Sequence, residues 1–126
     1  MEKTISIDGK EVRMRATALI PRLYRFKFGR DIIRDMSTLQ KAYKKVEELP
    51  DNATEEEKQE AQLSVLDLTI FENVAFIMAK HADPSIPDNP DEWLDGFNMF
   101  SIYDILPEIM ELWHISQKTT SEPKKN

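Results

Sequence analysis

Residues 4–15 read Thr4-Ile5-Ser6-Ile7-Asp8-Gly9-Lys10-Glu11-Val12-Arg13-Met14-Arg15, two alternating runs joined by Asp8-Gly9. Asp-Gly between alternating apolar residues is a strong two-residue hairpin signal, because both turn positions need positive φ. With that turn, Ile7 faces Lys10, Ile5 faces Val12 and Lys3 faces Met14. Ile5, Ile7, Val12 and Met14 then share one face, and Ser6, Glu11, Arg13 and Arg15 the other. A lone hairpin is marginal in water, so its apolar face must dock on helices or extend another sheet.

The rest of the sequence reads as helix. Pro21 opens a short helix, Pro21 to Phe28, which Gly29 is placed to close. Asp31 caps a second, with Ile32, Ile33, Met36, Leu39, Tyr43 and Val46 at helical spacing. Thr54-Glu55-Glu56-Glu57 is a capping-box signature for the longest helix, expected to run unbroken to about His81. Beyond its polar start, residues such as Leu63, Val65, Leu66, Leu68, Phe71 and Ile77 cover more than one face, which places this helix at the centre of the core or against a second chain. Phe71 and Ile77 are expected to be buried. Asn89-Pro90-Asp91-Glu92 sets a cap, a first-turn proline and two acids at another helix start. Ser101 is placed to cap the last helix, in which Pro107 predicts a kink or a short preliminary turn. The expected fold class is mainly α with an N-terminal β-hairpin (α+β). It is one domain over residues 1–116 with four to five helices, and a flexible tail over 117–126.

Composition narrows the function. The 126 residues include no cysteine, which removes thiol chemistry and Cys-ligated metals, and three glycines, too few for a Gly-rich phosphate loop. The start Met1 to Lys10 lacks the basic-then-apolar pattern of a signal peptide, and no apolar stretch is long enough to span a bilayer. Two histidines exist, His81 and His114. Glu111 and His114 have the Glu-x-x-His spacing of helical di-iron sites, but residue 78, three before His81, is Met, so the second pair is missing. Glu55, Glu56 and Glu57 occupy an exposed first turn, where nothing would raise a carboxylate pKa. No enzyme, metal site or cofactor is expected.

The charge is uneven: residues 1–45 carry a net +7 and residues 46–126 a net −13. Such a division favours self-association through unlike patches, expected to be head-to-tail, with the hairpin edge available for pairing. Arg22, Arg25, Lys27, Arg30 and Arg34, interleaved with Tyr24, Phe26 and Phe28, form a basic face for self-association or a partner. The alternative is a small nucleic-acid-binding or regulatory protein using this segment. The pI of about 5.0 argues against that basic footprint.

Ile5 to Val12, Arg15-Ala16-Thr17 and Pro21 to Asp31 resemble tail assembly chaperones of long-tailed (siphovirus-type) phages and prophages of Gram-positive bacteria. So do Asn73-Val74-Ala75-Phe76, Glu92-Trp93-Leu94-Asp95 and Phe100-Ser101-Ile102-Tyr103 leading to Pro107-Glu108-Ile109. The resemblance spans about residues 4–115. Ile20 departs from it, since a better helix cap is expected before Pro21. The resemblance implies a mainly helical protein of the host bacterial cytoplasm, absent from the finished virion. Such a protein coats the tape-measure protein, keeps it soluble and helps tail tube subunits assemble. It also implies a longer form made by frameshifting near Lys124-Lys125-Asn126. A client with exposed apolar helices calls for an adaptable groove, for which Trp93, Phe97, Met99, Phe100, Met110 and Trp113 are the candidates.

Overall fold

A computed structural model of the chain describes the backbone of residues 1–121 and the side chains of residues 1–114. Strands β1 (Glu2–Ile7) and β2 (Lys10–Arg15) precede six helices: α1 (Ile20–Phe28), α2 (Ile32–Glu47), α3 (Glu55–Glu60), α4 (Val65–Ala82), α5 (Pro90–Asp95) and α6 (Ile102–Ser121).

The hairpin has the register its alternation dictates: Ile7 pairs with Lys10, Ile5 with Val12 and Lys3 with Met14. Asp8 and Gly9 both take positive φ, 55° and 75°. That is the backbone of a turn whose twist matches the strands. Ile5, Ile7 and Met14 are buried and Val12 packs against them. The apolar face docks through β2 on α4 and through β1 on α6. Lys3 ties β1 to α6, pairing with Glu108 and with Glu111 at 2.9 Å.

Local chemistry sets most helix ends. α1 starts at Ile20 without a side-chain cap, Pro21 lies in its first turn, and Gly29 closes it at φ 66°. Asp31 accepts a hydrogen bond from the Ile33 amide, and Asn89 from the Glu92 amide. Ser101 opens α6 through its backbone carbonyl, which accepts from the amides of Asp104 and Ile105. α6 continues on both sides of Pro107. It carries helical backbone to Ser121, into the segment expected as a tail from 117; residues 122–126, with the Lys124-Lys125-Asn126 run, lie outside the described residues.

The long helix expected from Thr54 to His81 is instead two. α3 has the expected Thr54–Glu57 capping box, but it ends at Ala61. A second capping box then starts α4: Ser64 Oγ accepts from the Asp67 amide, and Asp67 accepts from the Ser64 amide, each at 3.0 Å. Two reciprocal bonds satisfy amides that a continuous helix would otherwise have paired, so the chain can restart in a new direction. Ser64→Ala is expected to lower stability by about 1 kcal/mol, read as a lower urea midpoint. An unchanged midpoint would show that the break does not depend on this cap.

α4 is the centre of the core. Ile70, Phe71, Val74, Ala75, Phe76, Ile77, Met78 and Ala79 are all buried, on every side of the helix. The hairpin, α1, α2, α5 and α6 all pack against it. Its first turn differs: Val65, Leu66 and Leu68, expected to lie in the core or against a second chain, stand exposed in the single chain.

Candidate functional site

Between α1 and the loop that follows α4 lies an open cleft of roughly 590 Å³. Leu19, Leu23 and Phe26 form the α1 wall, and Phe76 and Ile77 of α4 the floor. The three wall residues follow an i, i+4, i+7 spacing, so they line up along one helix face. Phe26 is 74% exposed and Leu19 44%, whereas Phe76 and Ile77 are buried. A large aromatic left in water beside an apolar floor marks a binding surface more than a fold requirement.

The rim is charged and held in place. Lys80 Nζ donates to the Pro84 carbonyl at 2.8 Å, the Ile86 carbonyl at 2.7 Å and the Asp88 carboxylate at 2.9 Å. Lys27 Nζ donates to the Asp88 carbonyl at 2.6 Å and lies 5.9 Å from the Phe76 ring centroid. These bonds fix the loop after α4 as the far lip of the cleft, with Pro84 and Asp88 lining it. Lys80 beside Asp88 holds that carboxyl below its ordinary range. His81, at the inner end, has Nε2 2.9 Å from Thr17 Oγ1. Burial first, then the charges of Arg15 and the N-terminus, push its pKa down, which favours the neutral ring. The cleft therefore offers an apolar trough with basic groups on its edge. Its volume lies within the usual range for binding clefts, and its chemistry suits the apolar face of a helix.

The groove residues proposed from sequence are not brought together on a surface. Trp93 and Trp113 are buried. Trp93 packs edge-on to Phe76, Phe97 and Phe100, with ring centroids 5.9, 5.3 and 5.4 Å away. Phe97, Phe100 and Met110 are partly buried against the same core, and Met99 is exposed at 70%. This aromatic cluster fastens α5 and the following loop to α4; edge-to-face pairs of this kind add stability beyond their area.

The basic residues divide by role. Arg30 makes a two-pronged ion pair with buried Asp35. Lys27 anchors the loop, and the Arg22 guanidinium lies 5.1 Å from the Phe26 ring centroid, on the cleft's outer wall. Arg25 and Arg34 are exposed. Glu111 faces Lys3, away from any partnership with His114. Among the described residues no group of three or more His, Cys, Asp or Glu could hold a metal ion. Nor is any helix there long and apolar enough to cross a membrane.

Models of known protein families, curated proteins and solved structures were all compared with the chain. None matches.

Proposed function

We propose that this chain is a tail assembly chaperone of the long-tailed phage type, which seats amphipathic helices of the tape-measure protein in the α1–α4 cleft. The observation that carries the reading is Phe26, exposed at 74% over a floor of Phe76 and Ile77. A long helical client with unpaired apolar stripes aggregates alone, and an apolar trough that takes one stripe at a time keeps it in solution. Arg22, Lys27 and Lys80 on the rim favour client helices with acidic flanks. The role needs no catalysis or cofactor. Its setting is the host cytoplasm before the tail is complete, with tail tube subunits as a second partner.

Co-expression with the tape-measure protein tests the reading. The wild-type chain is expected to raise the client's soluble fraction several-fold, and Phe26→Ser to lose most of that gain. Because Phe26 is mostly in water, the substitution should move the chain's own stability by no more than about 0.5 kcal/mol. An insoluble client beside the wild-type chain, or equal rescue by Phe26→Ser, would contradict the proposal.

A further inference from the structure

We infer that, without a client, two copies of this chain close each other's clefts as an antiparallel pair. The second surface needed is the first turn of α4, where Val65 is 82% exposed and Leu66 51%. Neither packs against the core, and the capping box at Ser64 and Asp67 closes the turn. At 100° per residue, positions 65, 66 and 69 and the cleft positions 76, 77 and 80 fall within about 120° of the α4 circumference. The patch and the cleft thus lie on one side of α4. Leu66 and Lys80 are separated along the axis by roughly 21 Å, at 1.5 Å per residue.

This placement has a symmetry consequence. A twofold axis perpendicular to α4 exchanges its two ends, so the patch of each copy enters the cleft of the other. Both contacts form at once and the assembly closes at two. Charge alone suggests an open head-to-tail chain; two patches on the same side of one helix make the closed pair the better fit.

The charges agree with the antiparallel order. Just before the patch in the chain, α3 exposes Glu55, Glu56, Glu57 and Glu60, against Lys58, with Lys45 beside Glu57 and Glu60. At the cleft stand Lys27 and Lys80, with Arg22 beside Phe26, against Asp88. Each end of α4 therefore meets the end of opposite sign, twice per pair. The α3–α4 corner is itself apolar with an acidic flank, the same chemistry proposed for the client, so a client helix competes with it for the cleft.

Sedimentation equilibrium on the intact chain tests this with two surface variants. The wild type is expected to form a dimer at low salt, weakened by high salt, with no growth beyond two. Leu66→Glu, which spoils the patch, and Phe26→Glu, which spoils the cleft, should each be monomeric alone. Mixed in equal amounts they should form a heterodimer, because one intact patch then meets one intact cleft. A monomeric wild type at high concentration and low salt overturns the inference. So does assembly beyond two copies, a variant that still dimerises alone, or a mixture that stays monomeric. Leu66→Glu keeps its cleft and should still solubilise the client, so failure of the pair and failure of the chaperone reading are separately visible.

Discussion

Phe71→Ala is expected to cost about 3–5 kcal/mol, the range for removing a buried phenylalanine ring from a close-packed core. Phe71 lies midway along α4, 2% exposed, with its ring 5.3 Å from that of Phe100. Phe100 in turn packs on Trp93, so the cavity would open where α4, α5 and the start of α6 meet. With total stabilities of about 5–15 kcal/mol typical of such domains, the variant should unfold at a much lower urea concentration or not fold at all. Phe71→Leu, which refills most of the volume, should recover more than half of the loss. A Phe71→Ala chain with a near-native midpoint would show that this part of α4 is not core.

Asp35→Ala carries the second large effect. Asp35 is 3% exposed and accepts from Arg30 at 2.7 and 2.8 Å and from the Tyr24 hydroxyl at 2.8 Å. These bonds lock the end of α1 against the first turn of α2. Removing the carboxylate leaves the Tyr24 hydroxyl buried and unpaired, worth about 1–3 kcal/mol. Arg30 is nearly half exposed and regains water, so it adds little. The expected loss is about 2–3 kcal/mol, and Tyr24→Phe in the same chain should return part of it.

The pH dependence has a definite sign. Arg30's hydrogen bonds hold the Asp35 carboxyl below its ordinary range; burial opposes them, and the Tyr24 hydroxyl assists. The unfolded chain then binds this proton at higher pH than the folded one. Asp35's contribution is full above the ordinary aspartate value of about 3.9 and is lost as pH falls through the lower folded value. The difference in unfolding free energy between wild type and Asp35→Ala should therefore shrink in acid. A difference that holds constant or grows there would refute the assignment. Burial and the neighbouring Asp35 push the Tyr24 pKa up, so its hydroxyl remains a donor throughout.

Features decided by neighbouring residues were legible. Asp8-Gly9 sets the hairpin register, Asp31, Thr54 and Asn89 cap helices, and Gly29 takes the left-handed backbone that ends α1. Burial of Phe71 and Ile77 followed from the all-round apolar character of their helix. The break before α4 was hidden because residues 55–67 contain no proline or glycine. Ser64 and Asp67 have capping-box spacing, but inside a helix-compatible run that signal competes with simple continuation. Trp93 and Trp113 looked like groove residues because aromatics suit both cores and interfaces; which side of α5 and α6 meets α4 is a tertiary fact. The cleft was missed for the same reason. Leu19 and Phe26 become a wall when α1 lies along the C-terminal half of α4, opposite the loop that follows it.

An apolar helix of the client is expected to seat in the α1–α4 cleft. The most direct measurement is backbone amide NMR of the isotope-labelled chain, titrated with a synthetic amphipathic segment of the tape-measure protein. Saturable shifts are expected at Leu19, Leu23, Phe26, Phe76, Ile77 and Lys80, together with the loop around Asp88, and they should vanish in Phe26→Ser. Shifts confined to the hairpin, to α6 or to the basic residues outside the cleft would contradict the account, as would a titration that moves nothing.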